Sequence, residues 1–342
     1  MSNSITYTSP HIHKVTSVNT VMRQVIYALV PGILLSTWVF GWGVMFHCIL
    51  CITFSMLFEA LALKLRHQPL HLYLTDGTAV VTALLFALTI SPLSPWWVDL
   101  SGIAFAILIA KHLYGGLGQN IFNPAMAGYV LVLLCYPAEV VHWPIPAGTA
   151  ETRAGIAGTF RIIFELDNPD MLVDAISRAT PLAYLQSELS GMAMIGEIRA
   201  APQFGFIGGR GWEVIALAWL AGGIWLFIKK IIDWQMPVAF LGTLFLLMLF
   251  MHWYDSNIHA SPLLHIFTGG TMLAAFFIIT DPVSASTTPR GRWIYAAGIA
   301  VITCLIRKLG SFPDGIAFAV LIMNAAVPFI DSLTRPKVFG EE

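Results

Sequence analysis

Ten predominantly apolar runs dominate this chain, at 24–42, 44–63, 77–93, 96–111, 121–137, 212–229, 236–253, 263–280, 292–308 and 315–331. A helix that crosses a bilayer needs roughly 20 such residues. Lipid offers no water to bond backbone N–H and C=O groups, so runs of this kind fold as helices that satisfy themselves. Hydrophobic types make up 57% of the chain and charged types 11%. A soluble domain carries about 25% charged residues. The mean hydropathy of +0.76 agrees. The sequence therefore predicts an all-α polytopic membrane protein of about ten transmembrane helices. Its 18 basic and 19 acidic residues leave no nucleic-acid footprint. The first residues are polar, without a signal-peptide core, so the first run is expected to stay in the membrane as an anchor.

Only one polar stretch, 138–210, is long enough to form an extramembrane unit. It separates 1–137, an N-terminal segment with five runs, from 211–342, with five more and a tail. Basic residues orient the bundle. With the N-terminus inside, 11 of the 18 fall on cytoplasmic segments and only Arg307 and Lys308 on short outer loops. The other five lie in 138–210, where the rule is weak. Both termini are thus expected in the cytoplasm and the 138–210 loop outside. The halves also resemble each other. Gly77-Thr78 opens a run ending Thr89-Ile90-Ser91-Pro92, and Gly270-Thr271 opens one ending Thr280-Asp281-Pro282. Leu117-Gly118 precedes Pro124, and Leu309-Gly310 precedes Pro313. An odd number of spans per half makes the copies inverted, a transporter-like plan with sites at broken helices.

Two groups of residues could carry chemistry. In the loop, Asp174-Ala-Ile-Ser177-Arg-Ala179-Thr180-Pro181 places Thr180 as a helix N-cap and Pro181 at the first helical position. The helix start suits a phosphate as well as an ordinary cap, and local physics leaves both readings open. In or beside the spans stand Glu59, Asp76, Asp99, Asp281 and Asp314. An ionisable group at membrane depth marks a functional site by default, so Glu59, Asp76, Asp281 and Asp314 are ion-path candidates. For Asp281 and Asp314, capping of the breaks beside Pro282 and Pro313 competes with that role. Cys48 and Cys51 form a C-x-x-C inside a span, read as apolar packing or as a redox pair. The histidines show no metal-ligand spacing.

Five stretches together resemble one family. They are Ser9-Pro-His-Ile-His13, Thr75-Asp-Gly-Thr-Ala79, Gly115-Gly-Leu-Gly-Gln-Asn-Ile-Phe-Asn-Pro-Ala125, Thr280-Asp-Pro-Val-Ser-Ala285 and Phe312-Pro-Asp-Gly-Ile-Ala-Phe-Ala319. The chain resembles, over about residues 9 to 340, the D-subunit family of the Rnf complex, the ion-translocating ferredoxin:NAD oxidoreductase. The B subunit of the sodium-pumping NADH:quinone oxidoreductase is a more distant member, with a long N-terminal extension that this sequence lacks. The family attaches FMN by a phosphodiester to the threonine of a D-x-x-S/T-x-A-T pattern. Residue by residue this maps onto Asp174, Ser177, Ala179 and Thr180, with Thr180 as acceptor. Arg178 stands where relatives often have Gly.

The resemblance implies electron transfer through covalent FMN, coupled to Na+ or H+ movement, in a bacterial cytoplasmic (inner) membrane. It implies a flavin transferase for maturation, a second flavoprotein subunit, iron–sulfur subunits, and riboflavin as a non-covalent second flavin. No complete reaction is expected of the chain alone. A stand-alone small-solute transporter or channel, and a purely structural membrane scaffold, are the competing readings.

Overall fold

The computed structural model describes residues 17–149, 153–166 and 169–335. His11, His13 and the Ser9–His13 motif lie outside the described residues.

The first helices are α1 (Val18–Phe40) and α2 (Gly43–Leu65), then a short α3 (Leu70–Leu74) and α4 (Thr78–Ala87). Next come α5 (Trp96–Ala104), which runs on as a π-helix (Phe105–Leu113), and α6 (Pro124–Cys135). The intervening segment holds α7 (Pro137–Val141), β1 (Trp143–Pro144), α8 (Ile156–Ile163), α9 (Pro169–Ile176), β2 (Ser177–Arg178), α10 (Pro181–Ser190) and α11 (Ile195–Arg199). The second series is α12 (Trp212–Ile228), α13 (Gln235–Tyr254), α14 (Pro262–Ile266) and α15 (Thr271–Leu273), which continues as a π-helix (Ala274–Ile278). It ends with α16 (Pro289–Leu309) and α17 (Ile316–Thr334).

Every apolar run thus becomes a helix or a broken helix. Five helices, α1, α2, α5 with its π extension, α13 and α17, have the length and apolarity to cross a membrane, and α4, α6 and α12 are shorter apolar ones. The helix starts are written in the local sequence. Ser17, Asn123 and Thr288 accept the amides of Thr20, Met126 and Gly291, and Pro124 and Pro289 occupy first helical positions. Large apolar side chains such as Trp38, Leu57, Leu246 and Phe329 stay exposed on the outer helix faces, as lipid-facing residues do.

Two runs are interrupted where the sequence predicts continuous helices. The 77–93 run is helical only to Ala87, and a separate α3 precedes it. Gly77 takes φ 82°, and Asp76 accepts both the amide and the hydroxyl of Thr78 at 2.7 Å. The 263–280 run breaks at Gly269 (φ 69°), where the Asp314 carboxylate accepts the Gly270 amide at 2.9 Å. Both breaks therefore follow a short helix and precede a threonine, Thr78 or Thr271.

The halves meet through small residues. A Cβ on Gly32 of α1 would stand 1.9 Å from the Trp219 ring of α12, and one on Gly222 of α12 would stand 2.3 Å from the Ala28 carbonyl of α1. Such close approach is how helices associate where lipid gives no hydrophobic drive. A second seam is polar. Asn324 of α17 accepts the Asn123 amide at 3.0 Å and donates to the Ser284 carbonyl and the Tyr295 hydroxyl.

The 136–211 segment lies on the bundle. β1 pairs antiparallel with β2, Trp143 opposite Arg178 and Pro144 opposite Ser177. Leu182, Leu185, Ile195 and Ile198 pack on Ala260 and Leu264 beside α14. Gln186 donates to the Gly310 carbonyl at 2.5 Å.

Candidate functional site

Thr180 is the N-cap of α10, with φ −60° and ψ 155°, and its Oγ1 accepts the Ala183 amide at 3.2 Å. The same residue lines a cavity of about 150 Å³ between the loop segment and the bundle. Phe40, Trp143 and Trp212 form an aromatic wall of that cavity, with ring centroids 5.0–5.3 Å apart. Thr89, Thr268 and Asp314 are among the few polar residues on a mostly apolar lining. This combination, mostly aromatic with a few polar groups, is what a flat organic ligand needs. Thr180 is half-buried, Ser177 is half-buried in β2, and Asp174 and Ala179 are exposed. Of these four, Thr180 lines the cavity, and Asp174, Ser177 and Ala179 do not.

Beside that cavity Asp314 does two things. It fills the break before α15, and its second oxygen accepts Arg307 Nη2 at 3.0 Å. Arg307 also donates to Thr271 Oγ1 at 2.8 Å and to the His265 carbonyl at 2.9 Å. Gln186 and the apolar face of α10 link this group to the helix that Thr180 caps.

A second charged group lies in the first half. Glu59 of α2 is 1% exposed, and its Oε1 accepts Lys111 Nζ at 2.8 Å. Lys111 also donates to Thr78 Oγ1 at 3.0 Å, whose hydroxyl in turn donates to Asp76. His112 Nε2 stands 3.0 Å from Glu59 Oε2, off the line that a good hydrogen bond needs. Arg66 Nη1 lies 3.2 Å from His112 Nδ1. A guanidinium can only donate, so His112 Nδ1 is the acceptor side of that contact. Adjacent residues of an α-helix diverge around its axis, yet Lys111 and His112 reach the same carboxylate. They end the π-helical stretch, a geometry frequent at functional sites.

Of the four ion-path candidates, the structure brings Glu59 and Asp76 together through Thr78 and Lys111. It sets Asp314 with Arg307. Asp281 stands apart from both groups in a turn, accepting Ser284 Oγ at 2.6 Å. Sequence reasoning missed the partners. Lys111 and Arg307 were read only as orienting charges, although a lysine ending an apolar run is itself a signal. It also missed His47, fully buried with Nδ1 2.7 Å from the fully buried Asp99, and with Cys51 of the C-x-x-C against the same carboxylate. Among the described residues no cluster of three or more His, Cys, Asp or Glu forms a metal centre.

Comparison with known proteins bears on these groups. The model of the NQR2, RnfD, RnfE family matches residues 5–340. The chain is 45% identical over 341 residues to the D subunit of the ion-translocating oxidoreductase complex of Escherichia fergusonii, covering 97% of each chain. It is equally similar, 45% over 340 residues and 97% of each chain, to the protein of the same name from Aeromonas hydrophila. The Citrobacter koseri protein of that name is 43% identical over 341 residues, again 97% of each.

Proposed function

The chain belongs to the NQR2, RnfD, RnfE family, and from that premise we propose that it is the membrane subunit of an ion-translocating oxidoreductase complex, carrying FMN as a phosphoester on Thr180. The observation that carries the cofactor is the position of one residue: Thr180 caps a helix through its Oγ1 and lines an aromatic cavity.

The residues present fit the group. The first-turn amides of α10 and its positive dipole end favour a phosphate. The Ala183 amide, which Oγ1 now caps, would be among the donors available to hold the phosphate. The wall of Phe40, Trp143 and Trp212 suits a flat ring system and keeps water from it. Asp314, held by Arg307 and the Gly270 amide, stands in the lining as a fixed carboxyl group. FMN there supplies one- and two-electron redox chemistry, while the protein sets its place and surroundings.

The surrounding assignments belong to the same reading. The subunit sits in the bacterial inner membrane with both termini cytoplasmic and the 138–210 loop periplasmic, where a flavin transferase forms the ester. Its electron partners are a second flavoprotein subunit and iron–sulfur subunits, and riboflavin is a non-covalent second flavin. Ion movement, of Na+ or H+, runs through the bundle, with Glu59 and Asp76 in the first half and Asp281 and Asp314 in the second. The inverted repeat also suits a solute transporter, but the relatives named above are oxidoreductase subunits.

A denaturing gel under ultraviolet light tests the cofactor. From a host with the transferase, the wild-type band fluoresces and Thr180→Ala is dark. A fluorescent Thr180→Ala band, or a dark wild-type band, overturns the assignment.

A further inference from the structure

The two halves hold their broken helices with the same device built from different chemistry. In the first, Lys111, from the end of the π stretch of α5, bonds the Oγ1 of Thr78, which opens α4. In the second, Arg307, from the end of α16, bonds the Oγ1 of Thr271, which opens α15. The two threonines are 193 positions apart, and each device is built within its own half. Arg307 is fixed at three points, on Thr271, Asp314 and the His265 carbonyl. Its planar fork stays charged and is committed to those acceptors.

Lys111 differs. It is a compact ammonium on a flexible stem, and its acceptors in this group are two oxygens, Glu59 Oε1 at 2.8 Å and Thr78 Oγ1 at 3.0 Å. Carboxylate and hydroxyl oxygens are also the ligands that hard cations take. Asp76 Oδ2 is buried without a partner, and Glu59 Oε2 faces His112 Nε2 at 3.0 Å, off the hydrogen-bond line. The other charged or titratable groups around the carboxylate are His112, whose Nδ1 lies 3.2 Å from Arg66 Nη1, and Arg66 itself, which also donates to the Gly115 carbonyl at 2.8 Å.

We propose that Lys111 is a tethered stand-in for a monovalent cation: Glu59, Thr78 and Asp76 form a site that holds either the Lys111 ammonium or a free alkali ion, and not both. Glu59 carries one negative charge, so two cations on it in a buried setting repel without compensation. The arginine-pinned device of the second half does not exchange. The inference rests on the ion-translocating reading for its purpose, but occupancy is measured apart from electron transfer.

The test is equilibrium binding of radioactive sodium to the purified, detergent-solubilised complex, in choline chloride buffer. Lys111→Ala removes the competitor, and it is expected to bind sodium about tenfold tighter or more than wild type. Glu59→Gln in the Lys111→Ala background is expected to lose that binding. Lys111→Arg, which copies the second half, is expected to bind none at this site. In-gel flavin fluorescence of each variant reports separately whether the cofactor reading stands. Unchanged sodium affinity in Lys111→Ala, or affinity that survives Glu59→Gln, overturns the proposal. Should Lys111→Ala fail to survive in choline, survival restored by sodium chloride supports it. Failure in every salt overturns it.

Discussion

The first half of this molecule steadies its broken span with an ammonium, and the second does so with a guanidinium. Both cations reach a threonine hydroxyl one residue past a glycine, Gly77-Thr78 or Gly270-Thr271. Around that shared bond everything else differs. The carboxylate on Lys111 belongs to the interior of α2 and is 1% exposed. The one on Arg307 comes from the turn before α17, is about a quarter exposed, and also bonds the helix break. The first group takes no part in the cavity of Thr180, whereas the second borders it. The same latch bond is thus set in two surroundings, one with a buried lysine on a buried carboxylate and one with an arginine fixed at three points.

The largest expected effect separates the two latches. Removing one partner of a buried charge pair costs about 3–5 kcal/mol. Arg307→Ala and Lys111→Ala should both lower the thermal midpoint of the solubilised protein by several degrees. Sodium chloride, relative to choline chloride, should recover the loss only in Lys111→Ala. Equal recovery in both, or in neither, breaks the comparison.

Next in size are the threonines themselves. Thr78→Val and Thr271→Val keep the shape and remove the acceptor, and a hydrogen bond to a charged group contributes about 1.5–3 kcal/mol. Thr271→Val is expected to be the more damaging by denaturation midpoint, because the fork of Arg307 has two other fixed acceptors and cannot shift. Lys111 can settle wholly on Glu59. The reverse order would show that the lysine, and not the arginine, is the fixed latch.

A third effect is smaller. Loss of the cap in Thr180→Ala should destabilise by about 1 kcal/mol, with the secondary structure unchanged by circular dichroism. A collapse of the fold would mean that this hydroxyl is structural first.

The smallest effect is a pH dependence confined to the second half. His259 lies between α13 and α14, and its Nδ1 is 3.2 Å from Lys308 Nζ. Burial, and then the charge of Lys308, lowers the affinity of this imidazole for a proton. The folded state therefore favours neutral His259. The stability it contributes is complete above the ordinary histidine value of about 6.5, and it is lost as pH falls through the lowered folded value. His259→Gln should flatten the acid side of a plot of thermal midpoint against pH. An unchanged slope assigns it elsewhere.

The sequence shows the spans because lipid allows one backbone solution, and periodicity plays little part in that. The runs 236–253 and 292–308 become α13 and α16 with ends shifted by a few residues. Thr180 was legible as a cap because a cap is decided within four residues. Glu59 was legible as an oddity, since a carboxylate in a span calls for an explanation. What answers it was not legible: Lys111 is 52 positions away, and Arg307 is 36 positions from Thr271. The π-helical stretches at 105–113 and 274–278 were also invisible, because their composition is that of any apolar helix. The Gly-Thr repeat was visible, and the structure gives it a physical role.

The claim on which the functional account turns is that the redox group hangs from the loop by one oxygen. Peptide mass spectrometry of the protein from a host that makes the linkage tests it most directly. The account predicts an added FMN mass on the fragment containing Thr180, localised to that residue and absent after Thr180→Ala. An unmodified Thr180 fragment, or an FMN mass on another residue, would contradict it.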